Sequence, residues 1–163
     1  MLNYRPETGK PLGQFTEVLL GGESSLSPGE RELIATYVSN RNKCQFCTSS
    51  HAAAASLLLS EGEKLVDEVK KDLETAPISE KLKALLRIAG KVQIGGKNVS
   101  KEDIQNARDR GASDQEIHDT VLITAAFCMF NRYVDGLATW APEDASVYQE
   151  IGQRLVENGY NNT

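Results

Sequence analysis

Two cysteines separated by two residues, with a histidine shortly after them, are the side chains of this sequence best suited to chemistry. The segment reads Cys44-Gln45-Phe46-Cys47 and is followed by His51. If residues 44–59 form one helix, Cys44, Cys47 and His51 occupy positions i, i+3 and i+7 and share a face. Unpaired N–H groups in the first turn of a helix favour an anion, so a thiol there is predicted to ionise readily. His51 lies one turn beyond Cys47 and can accept its proton.

A carboxylate joins this group if the chain reverses direction just before the cysteines. In one straight helix Glu32 would lie about 18 Å from Cys44, too far for any contact. Segment 40–42 contains two asparagines, which favour a turn, and we also expect Asn42 to cap the second helix. An antiparallel helix pair folded there places Glu32 level with His51. The sequence therefore predicts a carboxylate, imidazole and thiol in the order of an orienting group, a base and a nucleophile.

The spacing of these residues resembles a known family pattern. Glu32, eleven residues, Cys44, two residues, Cys47, three residues and His51 are similar to the Glu-x11-Cys-x2-Cys-x3-His pattern of alkyl hydroperoxidase D and its peroxidase-related relatives in the carboxymuconolactone decarboxylase superfamily. The close resemblance covers about residues 27–59. A weaker resemblance extends to the C-terminal half, where the stretch that begins at Phe130 and reads phenylalanine-asparagine-arginine is similar to the peroxidase-related branch.

The resemblance implies an all-α, oligomeric thiol peroxidase or disulfide oxidoreductase that reduces hydroperoxides. It implies that Cys47 attacks the peroxide, that Cys44 is the resolving thiol, and that Glu32 and His51 relay the proton. An external dithiol or protein reductant would then reset the pair, with no bound cofactor. The sequence departs from alkyl hydroperoxidase D at Phe46, because that protein has a further histidine immediately before its second cysteine.

The elements that must position these residues are all predicted to be helices. Serines followed three residues later by an acidic residue, a helix-start signal, occur at Ser27, Ser60, Ser100 and Ser113, and period-2 alternation is almost absent. The predicted helices lie near 12–20, 28–40, 44–59, 62–74, 79–93, 101–109, 114–138 and 143–157. We expect residues 1–163 to form a single all-α, compact multi-helix domain of the alkyl hydroperoxidase D-like type.

Composition restricts the partners that the protein is expected to bind. The chain of 163 residues has 40% apolar residues, a net charge of −5 and no Lys/Arg-rich run, which argues against nucleic acid or an anionic membrane. Its longest apolar stretch, 121–130, is too short to cross a bilayer, and the N-terminal residues lack an apolar signal segment. We expect a cytoplasmic protein. The long apolar helix at 114–138 and the family resemblance together predict a homo-oligomer.

Three other interpretations of the candidate site were weighed. A zinc site would need two ligands besides the cysteine pair, but Cys128 lies in an apolar run and His118 is expected to be solvated, so no metal is expected. A lyase similar to carboxymuconolactone decarboxylase would use His51 or Glu32 for proton transfer on a small lactone, without the thiols. A redox-sensing or structural oligomer would only report oxidation through its cysteine pair.

Overall fold

Eight α-helices account for most of residues 2–160, the part of the chain that the computed structural model describes, and no β-strand occurs within that range. The first four are α1 (Pro6–Leu20), α2 (Pro28–Arg41), α3 (Gln45–Leu58) and α4 (Gly62–Lys71). The second four are α5 (Glu80–Ile94), α6 (Lys101–Asp109), α7 (Asp114–Gly136) and α8 (Ala145–Asn158). Short 3-10 helices span Leu2–Tyr4 and Gly96–Asn98. The prediction of an all-α fold is confirmed.

Serine caps fix the starts of most of the helices that position the site. The Ser27 hydroxyl accepts the N–H of Glu30, and the Glu30 carboxylate accepts the N–H of Ser27 in return. The same reciprocal capping box begins α6 at Ser100 and α7 at Ser113. The prediction for Ser60 is wrong: the N-cap of α4 is the next residue and its side chain makes no capping bond. The chain enters α4 through Gly62 at a φ of 62°, a left-handed turn that a regular capping box does not contain.

Helix α1 begins six residues earlier than predicted, at Pro6 rather than near residue 12. A proline at the first helical position loses no helical hydrogen bond, because its missing N–H has no partner there. Pro11 lies inside the helix, and the helix continues through it.

Helix α2 lies at the centre of the packing. It contacts α3, α5 and α7, and α3 in turn packs between α2 and α8. The side chains of Leu33, Ile34 and Val38 are fully buried in the main core. Burial on several faces explains why α2 has little amphipathic character in its sequence. It also means that any side chain of α2 that faces α3 is held in a low-dielectric environment.

Two buried polar contacts fix neighbouring helices. The guanidinium of Arg31 is buried and donates to the carbonyl oxygens of Leu19 and Gly22, which ties α2 to the end of α1. Lys81 of α5 donates to the buried carboxylate of Glu116 in α7 at 2.7 Å.

Among residues 2–160, no helix combines the length and the apolar character that a membrane-spanning segment needs.

Candidate active site

A tight turn between α2 and α3 brings the two cysteines back alongside α2. Lys43 adopts a left-handed φ of 60°, and the N–H of Cys44 donates to the Ser39 carbonyl at 3.1 Å. The N-cap of α3 is therefore Cys44, and the helix begins at residue 45 rather than 44. The prediction that Asn42 caps α3 is wrong, because Asn42 ends α2 and its amide donates to Asn131 Oδ1 at 2.8 Å.

The two thiols lie together in a small apolar cluster. Cys44 is fully buried and Cys47 is 4% exposed, and both are free thiols. They pack against Val134 of α7, with Phe46 at the edge of the cluster. The two thiols affect each other's ionisation: the interaction raises the pKa of Cys44 and lowers that of Cys47. The pair is therefore unequal before any reaction.

The pKa values of the thiols move in opposite directions. The hydrogen bond from Cys44 lowers the pKa of Cys47 to about 7 against the effect of burial, and the charge of His51 and a hydrogen bond from Asn131 act in the same sense. The pKa of Cys44 is raised, first because its proton is held by Cys47, then by burial and by the nearby Asp135 carboxylate. Near neutral pH the thiolate is therefore on Cys47.

An ion pair between α2 and α3 supplies the charged imidazole that acts on the Cys47 thiolate. The Nδ1 atom of His51 lies 2.7 Å from Oε2 of Glu32, and these side chains are 12% and 4% exposed. The edge contact of the imidazole with Phe127, at 4.6 Å between ring centroids, fixes the plane of the ring. Burial opposes the charged imidazole, but the charge and hydrogen bond of Glu32 outweigh it and raise the pKa of His51, with a further contribution from Cys47. The predicted contact between Glu32 and His51 is present.

One polar residue that our sequence reasoning did not assign to the site is Asn131. It is buried, donates to the Ser39 hydroxyl at 3.0 Å and accepts from Asn42 at 2.8 Å. Its interaction with Cys47 also helps to lower the pKa of that thiol. The signal that could have identified it is its place in the phenylalanine-asparagine-arginine stretch, since a buried asparagine inside an apolar helix needs polar partners.

A second missed residue is Tyr160, which lies far from the motif in sequence. Its phenol donates to Oε1 of Glu32, whereas His51 contacts Oε2 of the same carboxylate. The phenol oxygen is also 3.5 Å from Nδ1 of His51. No sequence signal pointed to this residue, because its contact with Glu32 spans 128 positions.

The remaining candidate ligands lie apart from the dithiol. His118 is exposed beside Asp119, as expected. Cys128 is only half-buried, and the amide of Asn42 approaches its sulfur at 3.6 Å. Within residues 2–160, no three His, Cys, Asp or Glu side chains are placed together to hold a metal ion.

The geometry supports a definite sequence of chemical events. A stabilised thiolate at Cys47 can attack an electrophilic oxygen or sulfur atom. The neutral thiol of Cys44 lies in contact and can close a disulfide with it. The paired imidazole of His51 can supply or accept a proton within the same buried site.

Comparison with known proteins gives a consistent result. Residues 6–57 match the profile of the carboxymuconolactone decarboxylase family, a range that contains Glu32, both cysteines of the pair and His51. A search of curated proteins finds no match.

Several solved structures are similar over most of the chain. One is an uncharacterized peroxidase-related protein from Silicibacter sp. TM1040, with 29% identity and a TM-score of 0.81 over 90% of this chain and 74% of that chain. Another, from Ralstonia eutropha JMP134, is an uncharacterized peroxidase-related protein with an alkylhydroperoxidase AhpD core; it has 25% identity and a TM-score of 0.83 over 93% and 78% of the two chains. A protein of unknown function from Agrobacterium tumefaciens, with 22% identity and a TM-score of 0.72 over 87% and 95%, shares the fold.

Proposed function

Because the chain falls in the alkyl hydroperoxidase D-like branch of the carboxymuconolactone decarboxylase superfamily, we propose that it is a thiol peroxidase that reduces hydroperoxides. Cys47 is the attacking thiolate and Cys44 is the resolving thiol. Glu32 and His51 form the proton relay. An external dithiol, either a small molecule or a protein, supplies the electrons, so the reaction needs no bound cofactor.

In the first step the Cys47 thiolate attacks one oxygen of the hydroperoxide. A sulfur–oxygen bond forms and the oxygen–oxygen bond breaks, which leaves a sulfenic acid on Cys47 and an alcohol. The hydroperoxide supplies the hydrogen of the sulfenic acid, and the imidazolium of His51 supplies the proton that the departing alkoxide takes. The Glu32 carboxylate holds the imidazole in place at 2.7 Å throughout.

In the second step the sulfur of Cys44 attacks the sulfenic sulfur of Cys47. The disulfide forms and water leaves, with the oxygen taken from the sulfenic acid. The Cys44 proton passes through the now neutral His51 to the leaving hydroxide, which completes the water. The two thiols together have given two electrons to the peroxide, and thiol–disulfide exchange with the external dithiol restores them.

The single observation that carries this proposal is the inequality of the two thiols. The interaction with Cys44 lowers the pKa of Cys47 to about 7 although the sulfur is buried, whereas the pKa of Cys44 is raised. The reactive thiolate is therefore populated near neutral pH. A purely structural pair of buried cysteines would have no reason to favour a thiolate, because burial raises a thiol pKa.

The test is a single-turnover experiment on fully reduced protein without added reductant. After mixing with a small organic hydroperoxide, the peroxide that remains is measured and the protein is analysed by mass spectrometry. Cys47→Ser should consume no peroxide. Cys44→Ser should consume one equivalent and leave a sulfenic acid on Cys47 that dimedone traps. The matched control is Cys128→Ser, which removes a thiol outside the site and should behave as the wild type.

Other outcomes would select another interpretation. If Cys44→Ser is the variant that loses the first turnover, the roles of the two cysteines are reversed. If the pair is oxidised but the protein consumes no more peroxide than free thiols do, the protein is a redox sensor. Turnover of a lactone by protein whose thiols are blocked would indicate a lyase.

A further inference from the structure

The phenol of Tyr160 makes the second of two hydrogen bonds to the Glu32 carboxylate. One carboxylate oxygen faces His51 at 2.7 Å, and the other accepts the phenol hydrogen of Tyr160. The Tyr160 ring lies nearly parallel to the imidazole, with 6.1 Å between centroids and 11° between planes. Tyr160 is 9% exposed, so this arrangement is shielded from bulk water. A buried carboxylate that accepts two hydrogen bonds is well stabilised as an anion.

Backbone contacts with helix α1 hold Tyr160 in this position. The N–H of Tyr160 donates to Oε2 of Glu17 in α1 at 2.5 Å. Gly159 has a φ of 66°, and a Cβ at this position would lie 2.3 Å from the same carboxylate oxygen. Gly13 allows close approach as well, because its added Cβ would lie 3.0 Å from the Tyr160 carbonyl oxygen. Three residues from two distant parts of the chain therefore fix where the tyrosine enters the site.

We propose that Tyr160 is a positioning residue of the proton relay, which holds the Glu32 carboxylate directed at His51 and thereby favours the thiolate of Cys47. This inference rests on the proposed function only in naming the relay, since its effect on the thiol exists without peroxide. Tyr160 itself stays protonated, because burial and the neighbouring carboxylates of Glu32 and Glu17 raise its pKa. The phenol therefore remains a donor across the working pH range.

The charged and titratable groups around the relay come from four parts of the chain. Helix α3 contributes His51 and Cys47, and the segment after α8 contributes Tyr160. Helix α2 itself contributes Arg31, whose charge acts on Glu32, while α1 contributes Glu17 on the far side of Tyr160. Helix α7 presents the Phe127 ring to the imidazole, and Asn131 and Asp135 to the thiols.

Loss of the phenol hydroxyl would therefore leave Oε1 of Glu32 buried without its donor. Without that donor the carboxylate is no longer held in the orientation that faces His51, which weakens its hydrogen bond with the imidazole. The imidazole would lose positive charge and Cys47 would lose part of the field that stabilises its thiolate. Loss of the hydroxyl is therefore predicted to raise the pKa of Cys47.

The test compares Tyr160→Phe with Tyr148→Phe by the pH dependence of Cys47 alkylation with iodoacetamide, read by mass spectrometry. Tyr148 is a matched control, because it is also buried, contacts Phe46 next to Cys47, and its hydroxyl has no hydrogen-bond partner among residues 2–160. Near neutral pH, Tyr160→Phe should slow alkylation about three- to tenfold, equal to about half to one pKa unit. At alkaline pH the rate should return to that of the wild type, which a merely disordered site would not do. Tyr148→Phe should leave the curve unchanged.

Several results would overturn the assignment. A Tyr160→Phe curve that superimposes on the wild type would remove the hydroxyl from the relay, and an equal shift in both variants would indicate a general packing effect. Gly159→Ala gives a second measurement, since it displaces the whole tyrosine and should shift the curve in the same direction. Peroxide consumption is measured separately: a shifted curve in a protein that consumes no peroxide would reject the peroxidase and keep the role of Tyr160.

Discussion

Burial alone would make both thiols of this site poor nucleophiles, because desolvation disfavours a thiolate. The structure overcomes this for Cys47 and not for Cys44. The interactions with Cys44, His51 and Asn131 lower the pKa of Cys47, whereas the interactions with Cys47 and Asp135 raise that of Cys44. The reactivity of each thiol therefore follows from its polar neighbours rather than from its exposure.

Removal of the charge of Glu32 should weaken this arrangement. Glu32→Gln keeps the size of the side chain but removes the negative charge that raises the pKa of His51. The Cys47 pKa should then rise above about 7, and the peroxide reaction near neutral pH should slow by up to about 10²-fold. Because the reactive form is the deprotonated thiol, a higher pH should recover part of the rate. Stopped-flow peroxide consumption across a pH series measures both effects.

The control for this variant is Glu63→Gln, which removes the same charge from an exposed position in the first turn of α4. It should leave the rate and the thiol titration as in the wild type. An unchanged titration in Glu32→Gln would make Glu32 an ordinary structural carboxylate.

Among the helices, the α2–α3 pair shows which parts of the site could be predicted. Glu32 and His51 lie equally far from a turn, so an antiparallel pair had to bring them together. The turn itself was predicted slightly too early, because only the structure shows the left-handed Lys43. Tyr160 could not be predicted, since its position depends on a bond to Glu17 across 143 residues and on the φ of Gly159.

The close packing of α8 on α3 gives a prediction about stability. A Cβ on Gly152 would lie 2.7 Å from the Cβ of Ala53 and 2.9 Å from the backbone of α3. Gly152→Ala should therefore force the two helices apart and lower the free energy of unfolding by about 1 to 3 kcal/mol. Urea unfolding followed by circular dichroism measures the change. Gly96→Ala is the control, because no atom of the described part of the chain lies within 4 Å of its added Cβ. Equal stabilities of the two variants would contradict the packing argument.

The surface of the whole molecule bears on its assembly. Several large apolar side chains are exposed, among them Val18 (72%), Ile94 (69%), Leu137 (59%) and Trp140 (75%). Association would cover such side chains, and closed symmetric assemblies are the usual form that association takes. We predict a homo-oligomer in solution. Light scattering at micromolar concentration should give a multiple of 17.8 kDa, and a mass near 17.8 kDa would contradict the prediction.

The unequal thiols also have an electrochemical consequence. Reduction of a Cys44–Cys47 disulfide takes up two electrons and two protons when both thiols are protonated, but only one proton when Cys47 remains a thiolate. The midpoint potential should thus fall by about 59 mV per pH unit below the Cys47 pKa of about 7 and by about 30 mV per unit above it. Equilibration with a dithiothreitol couple on both sides of neutrality measures the two slopes. Glu32→Gln should move the pH at which the slope changes to a higher value. The carboxylate that promotes attack on peroxide therefore also affects the potential that the external reductant needs to reduce the disulfide.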